Sequence, residues 1–203
     1  MPLEADIRRA TNDLIQQRLY HEALLYLEEA SAGNGKLRPF IEYLRGQVYI
    51  AMRDFVRARK HYEISFQNDY RIESAEMIAT LLMAEGKLEN AIEFLEHTIA
   101  GENENLRMLK FDLCKFYAIS DRFQEADRIM GEILPGLAPP LPDQLTSEAL
   151  MLKTAIIAEF ENLDKFPNIK AFFSMVERVS LPHQKKTKDG KKKGADGPDE
   201  SSP

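Results

Sequence analysis

Four stretches of the 203-residue chain align with one another, and this internal repetition restricts the fold more than any other feature does. Each stretch has a large apolar residue, an alanine three positions later and another large apolar residue four positions after the alanine. The alanines are Ala23, Ala58, Ala91 and Ala126, so the steps are 35, 33 and 35 residues. Periods of this length are typical of stacked architectures, in which each unit buries its apolar face against its neighbours. The sequence therefore predicts a repeat protein.

A second helical pattern precedes each alanine-containing stretch. In residues 40–50, 75–83 and 109–117 the apolar positions recur at intervals of three and four, as in an amphipathic helix. Short polar turns separate the two patterns, and in one of them Gly86 suits the left-handed backbone that ends many helices. The unit predicted four times over is a helix, a tight turn and an antiparallel helix.

Small residues recur in the first helix of each unit, and a large residue follows each of them three positions later. The pairs are Thr11 with Leu14, Gly46 with Tyr49, Ala79 with Leu82, and Cys114 with Tyr117. Together with the alanines of the second helices, this pattern resembles the tetratricopeptide repeat family over roughly residues 4–137. The chain departs from the family in having no tryptophan and in lacking, in its first three repeats, the proline that usually closes a repeat. The resemblance implies an all-α fold, a right-handed α-solenoid of about four helix-turn-helix repeats plus C-terminal capping helices.

The predicted organisation has four parts. Residues 1–137 hold the repeats, at about 4–37, 39–70, 72–103 and 107–137, followed by a proline-rich connector at 138–146. Four prolines in residues 135–142 predict a non-helical backbone there. Helical patterns at 147–163 and 168–179, within 147–181, indicate a capping helix pair or a degenerate fifth repeat, and we favour the cap. The lysine-rich residues 182–203 lack an apolar period, which predicts a disordered tail.

Composition narrows the possible functions. The net charge is −6, and the chain before Gln184 carries 21 basic and 29 acidic residues, which disfavours general nucleic-acid binding. No run approaches the roughly 18 apolar residues of a membrane span. The single cysteine excludes an internal disulfide, and the first residues lack the order of a secretory signal, so we expect a cytoplasmic protein.

Residues that suggest catalysis are scarce. The four histidines (His21, His61, His97 and His183) never occur as a helical pair at metal-ligand spacing, and we expect His61 and His97 to face outward or between repeats. Cys114 takes the position of a small buried residue rather than that of a nucleophile. The sequence therefore predicts no catalytic residue, no metal and no cofactor, and the protein is not expected to be an enzyme.

The family resemblance implies that the first helices line a concave groove that receives an extended or helical peptide. By register, the candidate partner-binding residues are Arg8, Asn12, Phe40, Tyr43, Gln47, Ile50, Glu76, Thr80, Met83, Met108, Phe111 and Lys115. We expect the large apolar members to be exposed anchors; alternatively, some of them pack against adjacent repeats or the terminal helices. The acidic Glu73 and Glu76 favour an apolar or partly basic peptide.

The function expected from these observations is a non-enzymatic interaction module, an adaptor or assembly factor that binds a protein or peptide partner. A first alternative is a dedicated chaperone similar to the all-tetratricopeptide chaperones of bacterial secretion systems. A second alternative is a self-assembling scaffold, which would form homo-oligomers.

Overall fold

The computed structural model describes residues 4–32, 35–68, 71–101, 106–137 and 143–180, and every regular element in these ranges is helical. The ten α-helices are α1 (Glu4–Gln16), α2 (Tyr20–Ala32), α3 (Arg38–Ala51), α4 (Phe55–Gln67), α5 (Arg71–Ala84), α6 (Leu88–Ala100), α7 (Arg107–Ile119), α8 (Phe123–Ile133), α9 (Asp143–Ala155) and α10 (Pro167–Ser180). Short 3-10 helices lie at Gly35–Leu37, Leu134–Gly136 and Ile157–Lys165. The predicted tail and residues 138–142 of the connector lie outside the described residues.

The first eight helices form four antiparallel pairs that stack in chain order. Within each pair the first helix packs on the second, and the second helix of each pair packs on the first helix of the next. This arrangement is an α-solenoid, and it confirms the fold class predicted from the period of the alanines.

The turns inside the four pairs share one backbone geometry. Each has a residue of positive φ, and these residues are Arg18, Arg53, Gly86 and Asp121. In the third pair the amide of Gly86 donates to the carbonyl of Met83 at 2.9 Å, and Lys87 donates to Leu82 at 2.9 Å. The other three turns have the equivalent two hydrogen bonds, which are those of a Schellman motif at a helix end. Three pairs therefore place a non-glycine residue where glycine is the unstrained choice.

Close packing of the two helices of a pair depends on the small residues. The repeat alanines Ala23, Ala58, Ala91 and Ala126 are fully buried. A Cβ added to Gly46 would lie 2.5 Å from Cε1 of Tyr62, so only glycine leaves space for this tyrosine. In the fourth pair the Sγ of Cys114 donates to the carbonyl of Ala126 at 3.3 Å. Replacing such a residue by a larger one would cost about 1–3 kcal/mol of stability through overpacking.

The last two helices cover the end of the stack. Helix α9 packs on α7 and α10 packs on α8, with little contact between α9 and α10, unlike the two helices of a repeat. The carboxylate of Asp127 in α8 accepts hydrogen bonds from the backbone amides of Asn168 and Ile169 at 2.9 Å each. Because the first amides of a helix lack partners within the helix, this carboxylate caps α10 from another element.

Two local predictions for this region differ from the structure. The α-helix predicted at 147–163 ends at Ala155, and the chain continues as a 3-10 helix from Ile157 to Lys165. The segment predicted to be non-helical begins with a 3-10 turn at Leu134–Gly136, in which Pro135 occupies an early helical position. Proline is tolerated at the start of a helix because the amide it lacks would be unpaired there.

Candidate partner-binding face

The surface formed by the groove candidates on α1, α3, α5 and α7 is called here the first-helix face. At its N-terminal end the guanidinium of Arg8 lies over two rings of α3, 5.1 Å from the centroid of Phe40 and 5.6 Å from that of Tyr43. Gln47 donates from Nε2 to the hydroxyl oxygen of Tyr43 at 3.1 Å. The structure thus brings together four of the predicted residues from two helices.

Charges from two other helices act on the Tyr43 hydroxyl. Burial raises the pKa of Tyr43 above its usual value, and the nearby carboxylates of Glu76 and Glu73 act in the same direction, against the lowering effect of Arg8. Arg8 belongs to α1, Tyr43 to α3, and both acids to α5. The first three repeats therefore share one electrostatic environment on this face.

The expectation that the large apolar candidates are exposed anchors is wrong for the three aromatic ones. Phe40 and Phe111 are buried, and Tyr43 is only 8% exposed. Phe40 and Tyr43 are covered by Arg8, and the ring of Tyr43 also packs 5.5 Å from that of Tyr62 in α4. These rings therefore pack beneath the face, which agrees with the alternative that the apolar candidates pack against adjacent repeats or the terminal helices.

The accessible part of the face is mainly polar. Asn12 and Thr80 are exposed, and Arg8, Gln47 and Glu76 are half-buried. Thr80 donates from its hydroxyl to the carbonyl of Glu76 at 2.9 Å within α5. The apolar candidates Ile50, Met83 and Met108 are half-buried and pack against the core. A ligand would meet amide, hydroxyl and carboxylate groups with apolar edges between them.

The fourth repeat contributes least to the accessible face. Phe111 is fully buried, and its ring packs against that of Phe172 in α10 with centroids 5.3 Å apart. The ammonium of Lys115 lies 2.7 Å from a carboxylate oxygen of Asp112, and both side chains are largely buried. The chain's own terminal helix thus occupies the position that a ligand was expected to take at Phe111.

Among the histidines, His61 lies in a packing position between two repeat helices. His61 stacks on Tyr49 with centroids 5.1 Å apart, and its Nδ1 lies 2.7 Å from a carboxylate oxygen of Glu42. Burial acts to raise the pKa of Glu42, but the hydrogen bond to His61 and the neighbouring positive charges outweigh it, so this pKa is lowered. His21 and His97 are exposed, and His183 lies outside the described residues.

The Cys114 thiol is fully buried, and burial raises its pKa to about 12. A thiol with so high a pKa is almost wholly protonated at neutral pH and is a poor nucleophile. This agrees with the prediction that Cys114 is a small packing residue.

Sequence reasoning missed the residues that hold α10 in place. In the register of the repeats, Asp127 stands where the other second helices carry Leu24, Arg59 and Ile92, and Gly131 stands where they carry Glu28, Glu63 and Glu96. A Cβ at Gly131 would lie 2.9 Å from Nδ2 of Asn168, so the glycine admits this side chain. These two departures from the repeat pattern were the available signal that another element docks on α8.

The described residues contain neither a candidate metal site nor a candidate membrane span. In the ranges that the structure covers, no group of three or more His, Cys, Asp and Glu side chains is arranged to hold a metal ion. Among the helices described, none is long and apolar enough to cross a membrane.

The sequence matches no protein-family model and no curated protein. Solved structures do match, among them the kinesin light chain nearly identical TPR-like repeats of Podosopora anserina, with a TM-score of 0.58 at 17% identity over 89% of this chain and 97% of that one.

Two further solved structures show the same likeness. MamA from Desulfovibrio magneticus RS-1 has a TM-score of 0.55 at 15% identity, over 87% of this chain and 94% of that one. YrrB, described as a TPR protein with an unusual peptide-binding site, has a TM-score of 0.50 at 17% identity, over 84% of this chain and 88% of that one. With its four stacked helix pairs, the chain therefore has the fold of a tetratricopeptide-repeat protein.

Proposed function

We propose that the chain is a non-enzymatic, cytoplasmic protein-interaction module that binds a partner peptide or helix on the first-helix face of its first three repeats. The observation that carries the proposal is the shared environment of Arg8, Tyr43 and Glu76, which three successive first helices bring together. A solenoid that aligns side chains from several repeats on one face offers an extended binding surface. YrrB, of the same fold, is described as having a peptide-binding site.

The chemistry of the face favours a peptide that is partly basic. Glu73 is exposed and Glu76 is half-buried, and both lie on α5 in the centre of the face. Carboxylates in this position attract lysine or arginine side chains and repel a terminal carboxylate. Gln47 and Thr80 supply hydrogen-bonding groups beside them. With Phe40, Tyr43 and Phe111 buried, affinity depends on this polar pattern more than on aromatic anchors.

Site-specific photo-crosslinking tests the proposal. A benzoylphenylalanine placed at the exposed Thr80 is expected to crosslink a partner in cells of the source organism. The same group at Glu93, an exposed position on the second helix α6, serves as the matched control. The proposal would be supported by proteins that crosslink at the Thr80 position and whose crosslinking yield falls in Glu76→Lys. Recovery of the same proteins with equal yield from both positions would contradict it.

An adaptor and a dedicated chaperone differ in what they do for the partner. A chaperone keeps an otherwise aggregating client soluble when the two are co-expressed, whereas an adaptor leaves the solubility of its partner unchanged. The soluble fraction of the crosslinked partner, measured with and without this chain, distinguishes the two roles.

Self-assembly is a second candidate because apolar side chains are exposed on the cap. Leu150 is 67% exposed and Met151 is 50% exposed, both on α9. Adjacent exposed apolar residues at the end of a solenoid favour association with another surface. Light scattering over a range of concentrations tests this candidate: a rising mass that Leu150→Glu abolishes would support it, and a constant monomer mass would exclude it.

A further inference from the structure

The turn of the second repeat exposes three apolar side chains, and at two of their positions the other repeats carry polar residues. Met52 is 42% exposed, Phe55 is 49% exposed and Val56 is 75% exposed. At the position of Met52 the other repeats have Gln17, Glu85 and Ser120, and at the position of Val56 they have His21, Glu89 and Gln124. At the positions of Met52 and Val56, three repeats form the same turn with polar residues, so the fold does not require apolar ones at these two positions.

The same turn is also more basic than its equivalents. Arg53 is exposed, and Arg57 has a side chain that is 63% exposed. The position of Arg53 is occupied by Arg18, Gly86 and Asp121 in the other repeats, and that of Arg57 by Glu22, Asn90 and Glu125. The carboxylate of Asp54 lies 3.4 Å from Nε of Arg57 and also caps α4 by accepting from the Arg57 amide. The six residues 52–57 thus contain one acid and two arginines, on a chain whose net charge is −6.

Two kinds of departure therefore coincide in six consecutive residues. Burying exposed apolar surface is favourable by about 25 cal/mol per Å², so a partner that covers these side chains would bind more tightly. Guanidinium groups bind carboxylates with paired hydrogen bonds, so exposed arginines beside an apolar patch select acidic ligands. The fold alone explains neither the exposed apolar residues Met52 and Val56 nor the added arginines. A binding partner is therefore the simplest common cause of both.

We propose that Met52, Arg53, Phe55, Val56 and Arg57, called here the second-repeat turn surface, dock a partner segment in which acidic residues flank a large apolar side chain. Charge complementarity determines this choice, because a basic segment would be repelled by Arg53 and Arg57. The surface lies at the end of the helices rather than on the first-helix face. It is a second site, independent of the function proposed above.

Peptide display on the full chain tests the proposal. Random twelve-residue peptides selected on the unmodified protein are expected to be enriched in acidic residues beside leucine or an aromatic residue. Affinities of the selected peptides are then measured by fluorescence anisotropy. Val56→Glu, which introduces the residue of the third repeat, is expected to weaken binding by about tenfold or more, as loss of a central apolar contact does. Arg53→Gly, also the residue of the third repeat, should weaken it by about threefold to tenfold and reduce its salt dependence.

Matched controls separate this surface from others. His21→Glu makes the same kind of change as Val56→Glu at the equivalent position of the first repeat, and Thr80→Lys changes the first-helix face. Both should leave the affinity of the selected peptides within about twofold, and thermal melting checks that every variant is folded.

Equal binding of the peptides by Val56→Glu would overturn the proposal, as would the absence of acidic enrichment. Binding of the protein to phosphatidylserine vesicles in place of the peptides, lost in Val56→Glu, would assign the surface to a membrane and would also overturn it. Because the Thr80 crosslinks do not involve this surface, failure here leaves the proposed function intact.

Discussion

Tyr43 and Phe111 occupy the same register position in the second and fourth repeats, yet different parts of the molecule cover them. Tyr43 lies under the guanidinium of Arg8, a half-buried side chain from the preceding first helix. Phe111 lies under Phe172, a fully buried side chain from the terminal helix. A long charged side chain can move aside for a ligand, whereas a buried phenylalanine belongs to the core.

The difference divides the first-helix face into two functional parts. Its N-terminal part, on α1, α3 and α5, keeps exposed polar groups such as Asn12 and Thr80. Its C-terminal part is closed by α9 and α10, which protect the apolar end of the stack from water as caps do in solenoids. Variants that remove the covering side chain at each end of the face test this division.

The largest effect is expected from Phe172→Ala. Removing a fully buried phenylalanine costs about 3–5 kcal/mol because its packing is lost and a cavity remains beside Phe111. Urea denaturation measures the change in the free energy of unfolding. Phe55→Ala, at a half-exposed position, should change it much less, within about 1 kcal/mol. A loss below about 1 kcal/mol for Phe172→Ala would show that α10 does not close the fourth repeat.

Asp127→Ala should have the next largest effect, a loss of about 1–2 kcal/mol. The change removes the carboxylate that accepts from the amides of Asn168 and Ile169, so the start of α10 loses its cap. Hydrogen exchange at these two amides should become faster, while exchange in α3 stays unchanged. Asp127→Asn keeps one acceptor oxygen and is expected to lose less stability. Equal losses of stability in the two variants would mean that the carboxylate does not act as the cap of α10.

Tyr62→Phe is expected to stabilise the N-terminal half by about 1 kcal/mol. The Tyr62 hydroxyl is buried and finds no hydrogen-bond partner among the described residues, so removing it ends an uncompensated desolvation cost. Tyr43→Phe is the matched control, and it should lose stability because its hydroxyl accepts from Gln47. Urea denaturation of both variants measures whether the free energy of unfolding rises or falls.

The same tyrosine gives a pH dependence. Burial raises the pKa of Tyr62 above its ordinary value of about 10. Above pH 10 the unfolded chain releases this proton while the native state keeps it, so the free energy of unfolding falls as the pH rises. The fall should be smaller in Tyr62→Phe by up to about 1.4 kcal/mol per pH unit. Equal alkaline sensitivity in both proteins would contradict the assignment.

The smallest effect is expected from Arg8→Ala, below about 1 kcal/mol. A guanidinium over aromatic rings contributes little where it remains partly in water. Urea denaturation should therefore show a near-normal midpoint, and Arg8→Lys should behave similarly. If Arg8→Ala lost as much stability as Phe172→Ala, the two ends of the face would be equally structural and the N-terminal part would not be open to a ligand.

Much of the architecture could be predicted because the same packing recurs in each repeat and requires similar residues at the same positions. The alanine spacing identified the four second helices, and a small residue such as Gly46 marked where two helices approach. Gly86 marked one turn, but Arg18 and Arg53 adopt the same left-handed backbone without any signal in residue type. The polar turns themselves were predicted, but tertiary packing can hold a strained residue in place, so residue type did not predict the left-handed backbone of these arginines.

The site was predicted less well than the fold, as the aromatic candidates show. Register indicates which side of its own repeat a residue such as Phe111 or Tyr43 faces, but it carries no information about an element that arrives from elsewhere in the chain. Asp127 and Gly131 departed from the repeat pattern, and such departures are the part of the sequence that reports long-range docking.

By itself, the sequence determined the helix pairs, their number and the burial of the alanines, because helical periodicity and small residues act over one or two turns of chain. Only the tertiary structure decided that Phe172 closes the fourth repeat while Arg8 loosely covers the second. The exposure of a side chain depends on everything that packs near it, and α10 reaches Phe111 only after the whole stack has formed.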